Sequence, residues 1–392
     1  MKKIGVLLNG SISNDQRVIK IISTISKLNK VDLFYVNGNE NDYMLFKNNV
    51  RLFNVKTKNT LIKKLIKNSL FFFEYNFFIK QVLNQNINYD YIIANDLPTL
   101  FPSMKISKKI NSKLIYDSHE IFVETLNQFF PQNSNFPKSI FFKISLLFMR
   151  ISGRFAEKIL FKNVDLLITV NDSIESYFKK KFKIKKSIVV MNFPHKGFIN
   201  NEKPVNFIDK FNWNKDSKIL IYQGLLNEGR GLKLLIKSLK NANHKFKLII
   251  LGYGILKKEL TELIKLTKQE DRIKLIDKVP YNQLSNYTKG AHIGVNLLEN
   301  FNLSKKLASP NKLFEYIHAK IPVICSNSLE NEKIVKKYNV GILTNNNEKD
   351  LISKLNLFLS DDKYLKIDFD KAKNDLCWEK QEQFIINTIN EL

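Results

Sequence analysis

Residues 309–326 read SPNKLFEYIHAKIPVICS, a stretch that predicts a loop, a helix and a buried strand in succession. Pro310 is tolerated in the first turn of a helix, because its missing N–H would have no intrahelical partner there. An apolar helical stripe follows. Pro322 is predicted to end the helix, and the apolar run from Val323 is predicted to begin a strand.

Two charged residues lie three positions apart near the start of this predicted helix, Lys312 and Glu315. Free N–H groups and the helix dipole stabilise an anion at such an end. A cation, open N–H groups and a carboxylate in one turn therefore predict a site that grips a diphosphate and its ribose together. An ordinary helix cap with an ion pair explains the same pattern equally well.

Strand-like and helix-like segments alternate along the chain, which predicts a doubly wound α/β architecture. The predicted strands are residues 4–8, 31–36, 91–94, 114–116, 166–170, 187–191, 218–224, 247–251, 273–276, 293–297 and 322–325. Residues 196–215 are polar and weakly periodic, so they are predicted to link domain 1–195 to domain 216–370. A C-terminal helix over 371–392, with Trp378 as a packing anchor, is predicted to return to the first domain.

Size and charge narrow the class of protein. A chain of 392 residues favours two domains, and 63 Lys and Arg against 37 Asp and Glu give a net charge of +26. Such a charge attracts phosphorylated substrates, nucleic acid or an anionic membrane. Two cysteines make no disulfide framework and favour a reducing cytosol. No apolar run approaches the roughly 18 residues of a membrane span.

The stretch PNKLFEY (310–316), followed by AKIPVI (319–324), resembles the donor-nucleotide signature of family 4 (GT4) retaining glycosyltransferases. Further segments resemble the family in the same order: NDQRV (14–18), YDSHE (116–120), YQG (222–224) and GRGL (229–232). The resemblance implies a GT-B fold, with two doubly wound Rossmann-like domains facing a central cleft. It also implies sugar transfer from a nucleoside diphosphate donor.

The segment from Gly224 to Gly231 is predicted to join a strand to a helix and to hold the donor diphosphate. Glycines there let backbone N–H groups approach phosphate closely. Arg230 adds an always-protonated guanidinium, and Lys312 is predicted to lie opposite it. The resemblance implies that Glu315 accepts hydrogen bonds from the ribose hydroxyl groups.

Four further residues are predicted donor-binding positions. The resemblance implies that Gly252, in GYG, lies under the nucleotide and that Lys278, in KVP, belongs to the loop that reads the base. Ser309 is a candidate for selecting the sugar, and Asn311 belongs to the signature itself. The predicted donor is a UDP- or GDP-sugar, and neither a cofactor nor a metal ion is expected.

The chain departs from the family pattern at two leucines. Leu225 stands where an arginine of the phosphate loop is expected, and Leu307 stands where the first glutamate of the Glu-x7-Glu pattern is expected. That glutamate normally contacts the donor sugar. Phosphate neutralisation and sugar selection are therefore expected to use other residues in this chain.

In the first domain, His119 follows a predicted strand end and is predicted to hydrogen-bond the donor sugar or the acceptor. Gly10 lies in the loop Asn9–Ser11, which the resemblance directs toward the sugar. Asp15 and Arg17 are expected either to orient that loop or to serve as a helix cap and a charge on a helix face.

A predicted helix over residues 141–159 carries Phe and Ile on one face and Lys and Arg beside them, and residues 61–83 repeat the pattern. This pattern is typical of a basic amphipathic helix on an anionic bilayer. A core-packed helix pair with a solvated lysine face explains it equally well.

The prediction is a retaining, metal-independent glycosyltransferase of bacterial surface glycan synthesis, with His119, Arg230 and Lys312 as catalytic residues. Its acceptor is predicted to be a glycan or a lipid-linked glycan, and its predicted location is cytoplasmic, peripheral on the inner face of the cell membrane. No nucleic acid partner is expected. The alternatives are a basic nucleic-acid-binding protein and a non-catalytic glycosyltransferase-like subunit. Among enzymes, a sugar-nucleotide epimerase has the same fold class.

Overall fold

The computed structural model describes residues 1–46, 49–55, 76–126, 138–299, 302–360 and 367–392. The chain divides into two compact units, residues 1–191 with 381–392 and residues 192–380. The segment 196–215, predicted as a linker, lies inside the second unit. It contains a short 3-10 helix, Lys196–Phe198, and a helix, Phe207–Phe211.

The described residues of the first unit form a seven-stranded parallel sheet in the order β3-β2-β1-β4-β5-β6-β7. Its strands are β1 (Lys3–Leu8), β2 (Lys30–Tyr35), β3 (Val50–Asn54), β4 (Tyr91–Asn95), β5 (Lys113–Ser118), β6 (Leu166–Thr169) and β7 (Ser187–Val189). Its helices are α1 (Gln16–Ile25), α2 (Asn76–Leu83), α3 (Asp96–Ile110), α4 (Phe122–Thr125), α5 (Lys138–Leu160) and α6 (Asp172–Lys181). The strand order reverses between β1 and β4, where doubly wound sheets bind ligands.

The described residues of the second unit form a six-stranded parallel sheet in the order β10-β9-β8-β11-β12-β13. Its strands are β8 (Lys218–Leu225), β9 (Phe246–Tyr253), β10 (Ile273–Ile276), β11 (Ile293–Asn296), β12 (Val323–Ser326) and β13 (Gly341–Thr344). Its helices are α7 (Phe207–Phe211), α8 (Leu232–Asn241), α9 (Lys257–Leu266), α10 (Tyr281–Lys289), α11 (Leu303–Lys306), α12 (Asn311–His318), α13 (Leu329–Tyr338), α14 (Glu348–Ser360) and α15 (Phe369–Asp375). The order reverses between β8 and β11.

The strands of each sheet carry buried apolar residues, because helices cover both faces of a doubly wound sheet. In the first unit Phe34, Phe78 and Ile92 are fully buried in one cluster. In the second unit Leu220 and Leu248 belong to the main core, together with residues of α8 and α14. Phe78 lies at the end of the predicted amphipathic segment 61–83, so that end contributes to the core. Residues 61–75 of this predicted segment lie outside the described residues.

The signature helix α12 begins at Asn311, with Pro310 as its N-cap, and ends at His318. Pro322 was predicted to end it, but the chain leaves the helix earlier, because Lys320 adopts a left-handed φ of 57°. Strand β12 then follows as predicted.

The C-terminal helix predicted over 371–392 is two helices, α15 and α16 (Glu379–Asn390). Trp378 lies between them and is fully buried, as the anchor prediction requires. Residues 381–392 belong to the first unit.

Candidate active site

The carboxyl ends of β8 and β9 in the second unit approach each other closely at two glycines. Gly224 has a φ of 131° and faces Gly252 in the strand register. A Cβ atom built on Gly252 would lie 1.8 Å from the carbonyl oxygen of Gly224. Residue 252 must therefore be glycine, which gives the predicted GYG motif a structural reason of its own.

The side chain of Lys312, in the first turn of α12, lies next to this edge. Its Nζ lies 3.6 Å from the ring centroid of Tyr222, and a Cβ atom on Gly224 would lie 3.7 Å from it. The side chain is only 7% exposed, and Nζ has no hydrogen-bond partner among the described residues. A buried ammonium that lies over an aromatic face and has no hydrogen-bond partner in the described part of the chain is ready to receive an anion.

Arg230 lies within electrostatic reach of both Tyr222 and Lys312. Burial raises the pKa of Tyr222 to about 12, and the Arg230 charge opposes that shift. Burial, followed by the Arg230 charge, holds the pKa of Lys312 well below its usual range. The structure thus brings the two predicted phosphate-binding cations together, and their catalytic roles stay predictions.

Glu315, one turn along α12, is oriented by Gln223 at the end of β8. The amide Nε2 of Gln223 donates a hydrogen bond of 2.5 Å to Glu315 Oε2. The hydroxyl of Thr288 lies 2.8 Å from the amide oxygen of Gln223, which fixes which way the amide points. The carboxylate predicted to bind ribose is therefore held by a buried network.

The loop between β8 and α8 differs from its prediction. The carboxylate of Glu299 accepts backbone hydrogen bonds from Gly229 and Gly231. The backbone N–H of Glu299 in turn donates to the carbonyl oxygen of Gly229 at 3.1 Å. Burial and the neighbouring Glu228 raise the pKa of Glu299. These loop N–H groups, expected to approach a phosphate, are thus engaged by a carboxylate of the chain.

The other predicted donor residues are more dispersed. Lys278 is exposed, with Nζ 5.0 Å from the ring centroid of Tyr253. Ser309 holds a buried hydroxyl without a hydrogen-bond partner in the described part of the chain, and Asn311 is exposed at the start of α12. Leu225 ends β8, partly exposed.

In the first unit, His119 follows β5 and is surrounded by carboxylates. Its Nδ1 lies 3.4 Å from Asp96 and 3.7 Å from Asp15, and its Nε2 lies 3.4 Å from Asp117. Burial disfavours the imidazolium, but Asp96, Asp15 and Asp117 raise the pKa of His119 to about 10. His119 is therefore a cation and hydrogen-bond donor at neutral pH.

Asp96 and Arg17 hold this histidine in place. Asp96 directly follows β4 with a φ of 58°, and its Oδ1 accepts the backbone N–H of His119 at 3.0 Å. Burial raises the pKa of Asp96 to about 6. Arg17 is buried and forms a salt bridge with Asp117, with 2.6 Å between Arg17 Nη2 and Asp117 Oδ1. It is therefore not a charge on an exposed helix face. Asp15 caps α1 through the Val18 N–H.

Gly10 lies in the loop after β1, partly exposed, and a Cβ atom there would meet nothing within 4 Å. The fold therefore does not require glycine at this position. Its predicted role toward the sugar stays a prediction.

The sequence-based prediction of the site missed three residues, Asp96, Gln223 and Glu299. Asp96 carried a usable signal, because residues that directly follow parallel strands meet at one edge of the sheet. The pairing of Gln223 with Glu315 joins residues 92 positions apart, and no local pattern marks it. Within the described ranges, no set of three or more His, Cys, Asp or Glu residues is arranged to hold a metal ion.

Comparison with known proteins finds a family match within the second unit. Residues 206–374 match the family described as Glycosyl transferases group 1. A Campylobacter jejuni protein, N-acetylgalactosamine-N,N'-diacetylbacillosaminyl-diphospho-undecaprenol 4-alpha-N-acetylgalactosaminyltransferase, is 29% identical over 160 residues, 40% of this chain. Chitobiosyldiphosphodolichol beta-mannosyltransferase of Candida albicans is 26% identical over 253 residues, 60% of this chain. The matches span 41% and 51% of those relatives' own lengths.

Solved structures share the fold along the entire chain. Sucrose-phosphate synthase from Thermosynechococcus elongatus superposes with a TM-score of 0.75 at 14% identity, covering 100% of this chain and 99% of that one. HepE from Anabaena, in complex with UDP and glucose, superposes with a TM-score of 0.72 at 15% identity, covering 100% of both chains. The chain therefore has the GT-B fold that the motifs predict, and its residues 206–374 match the Glycosyl transferases group 1 family.

Proposed function

We propose that this protein is a retaining, metal-independent glycosyltransferase that moves a sugar from a UDP- or GDP-sugar to a glycan linked through a diphosphate to a lipid. The observation that carries the proposal is the buried ammonium of Lys312, with the Arg230 charge beside it and the oriented carboxylate of Glu315 one turn away. A nucleoside diphosphate offers both complements, negative phosphates for the cations and ribose hydroxyl groups for the carboxylate.

Catalysis in this proposal is electrostatic. When the bond between the sugar and the diphosphate breaks, negative charge develops on the leaving phosphate oxygen. Arg230 and Lys312 stabilise that charge from fixed positions, so little reorganisation is needed as the reaction proceeds. Two cations already carry charge opposite to the leaving group, and we therefore propose that transfer needs no metal ion.

The proposed role of His119 is to donate a hydrogen bond to the sugar or to the acceptor. Its raised pKa supports that role, because an imidazolium donates from both ring nitrogens. The three carboxylates around it fix the ring orientation.

A lipid-linked acceptor is supported by the names of the two curated relatives, which contain diphospho-undecaprenol and diphosphodolichol. The same names carry opposite anomeric prefixes, alpha and beta. We therefore propose retention of configuration on the family resemblance alone, and NMR of the product tests it. The new glycosidic bond is expected to have the same anomeric configuration as the donor.

We further propose that α5 docks the enzyme on an anionic membrane surface. One face of this helix exposes six large apolar side chains by 40% to 60%: Ile144, Leu147, Phe148, Ile151, Phe155 and Ile159. Lys143, Arg154 and Lys158 are exposed on the same helix. Apolar side chains flanked by cations suit the headgroup region of an anionic bilayer.

The proposed location is the inner face of the bacterial cell membrane, where the enzyme would serve surface glycan synthesis. Among the described residues, no helix has the length and apolar character needed to cross a membrane. Docking through α5 would bring the enzyme to a lipid-linked acceptor.

A nucleoside diphosphate release assay tests the proposed function. Purified protein is incubated with UDP- and GDP-sugars and a lipid-linked glycan, with and without EDTA, alongside the Glu315→Ala variant. Release from one donor that survives EDTA and fails in the variant is the expected result. Loss of nucleoside diphosphate release in the presence of EDTA would contradict the proposed metal independence. No release from any donor would contradict the proposed transferase activity and would favour a non-catalytic subunit.

A further inference from the structure

A dense run of positive charge lies at the end of α6. Residues 179–186 read KKKFKIKK, so six lysines occur within eight residues, and all six are exposed. The first three lie in the last turn of α6, where cations interact favourably with the helix dipole. The other three follow the end of the helix at Lys181. The helix dipole therefore accounts for only half of this charge.

Half of these lysines have carboxylate partners. Salt bridges with N–O distances of 2.8 to 3.2 Å join Lys179 to Glu175, Lys181 to Glu157 and Lys185 to Asp165. No carboxylate in the described part of the chain pairs with the others, which are Lys180, Lys183 and Lys186. Their charges repel one another on the surface, and an anionic surface bound to them would relieve that repulsion.

The basic segment 179–186 is packed against the carboxyl end of α5. Phe182 stacks on Phe161, the residue that directly follows α5, with 4.3 Å between the ring centroids. The Nζ atom of Lys181 lies 3.2 Å from the carboxylate of Glu157 on α5, and Glu157 is only 2% exposed. The basic segment therefore lies beside the end of the helix whose apolar face is proposed to dock on a membrane.

The sheet of the first unit separates the basic segment from His119. Strand β7 begins at Ser187, directly after the last lysine, and β5, β6 and β7 are parallel. The loop that carries Lys183 and Lys186 therefore lies at the amino edge of the sheet. His119 follows β5 at the carboxyl edge. An anion attracted by these lysines thus occupies a surface distinct from the candidate active site.

The observations favour a bilayer over a nucleic acid as the anionic partner. Sites for single-stranded nucleic acid combine cations with aromatic rings on which the bases stack. The one aromatic ring of the basic segment, that of Phe182, is already stacked on Phe161. The exposed apolar face of α5 beside the segment suits the headgroup region of a bilayer.

We propose that the basic segment 179–186 is an electrostatic docking element, whose lysines bind the phosphate headgroups of an anionic phospholipid bilayer. The apolar face of α5 enters the headgroup region, and the lysines hold the carboxyl end of that helix to the surface. The inference rests on the docking of α5 proposed above and adds charge as a second, separable source of affinity.

Sedimentation with vesicles of phosphatidylglycerol and phosphatidylcholine, and with vesicles of phosphatidylcholine alone, tests this element. The variant carries three substitutions in the basic segment: Lys180→Gln, Lys183→Gln and Lys186→Gln. The matched control removes the same charge from exposed lysines of α8 and α9 in the second unit: Lys237→Gln, Lys240→Gln and Lys258→Gln. The two proteins have equal net charge, so the comparison reports only where the charge was removed.

Binding to the anionic vesicles is expected to weaken about 100-fold in the variant of the basic segment, because three lysines near the surface are lost. The control should stay within about threefold of wild type, since distant charges are screened. At about 1 M salt, where the screening length is about 3 Å, the difference between the two proteins should largely disappear. Arginine at the same three positions keeps the charge and should restore binding.

The outcomes separate the proposals. Equal binding of anionic vesicles by the variant and the control overturns the inference and leaves the docking of α5 standing. No binding of anionic vesicles by wild type overturns both, whereas the release of nucleoside diphosphate decides the transferase activity separately. Unchanged vesicle binding with a loss of affinity for a single-stranded oligonucleotide, confined to the variant, would overturn the inference and assign the basic segment to nucleic acid.

Discussion

The ammonium nitrogen of Lys312 lies 3.6 Å from the ring centroid of Tyr222, at the carboxyl edge of the second sheet. This contact holds a cation in a buried position where burial and the Arg230 charge both disfavour it. A binding site of this kind has a cost in stability that only its ligand can offset.

The first prediction follows from that cost. Lys312→Met should raise the stability of the ligand-free protein by about 1–3 kcal/mol, because the desolvated charge is removed while the apolar stem stays. The same variant should lose diphosphate binding. Thermal unfolding with and without UDP or GDP measures both effects, with Lys306→Met as the exposed control. A ligand-free variant less stable than wild type would contradict the account.

A second prediction concerns the network behind Glu315. Gln223→Leu removes the hydrogen bond to Glu315 Oε2, so the carboxylate loses its fixed orientation. We expect the KM for the nucleotide sugar to rise about 10-fold, with a smaller change in kcat, since the loss falls on ground-state binding. Steady-state kinetics checks this. Gln283→Leu replaces an exposed glutamine of α10 and should change neither constant.

The pH dependence of stability tests the carboxylate cage around His119. Its pKa is raised from 6.5 to about 10, so the stabilising interactions of the imidazolium are fully present below about pH 6.5. They are lost as the pH rises toward 10. Chemical denaturation of wild type and His119→Gln should therefore show a difference in unfolding free energy that narrows between pH 6.5 and 10. A difference that stays constant over this range argues against a charged histidine.

A fourth prediction concerns α5. Replacing Phe148 and Phe155 by Asp puts two negative charges on its exposed apolar face. Sedimentation with vesicles of anionic phospholipid should show binding reduced by more than about tenfold, and binding of UDP or GDP should be unchanged. Leu266→Asp, at an exposed position of α9, is the control for a surface charge elsewhere. Vesicle binding that is equal in all three proteins would exclude α5 as the docking element.

Much of the fold could be predicted because buried parallel strands appear as short apolar runs. The strand Ile273–Ile276 was predicted with the bounds that the structure has. The edge strand Val50–Asn54 was missed, since Arg51 and Asn54 interrupt its apolar residues and no position of it is fully buried. Strand β13 was also missed, because it has only four residues and begins with glycine.

The candidate site was predictable where its residues are close in sequence. Lys312 and Glu315 share one helical turn, and the spacing alone suggested a joint role. The contact between Gln223 and Glu315 depends on how β8 and α12 pack, which periodicity does not reveal.

Transfer of a labelled sugar tests the central claim most directly. The folded protein is given UDP- and GDP-sugars labelled in the sugar, with a glycan linked through a diphosphate to a lipid as the acceptor. The account predicts that the label enters the lipid-linked fraction in step with nucleoside diphosphate release, and that Arg230→Ala lowers the rate about 100-fold or more. A protein that binds the diphosphate but transfers no label from any donor would contradict it.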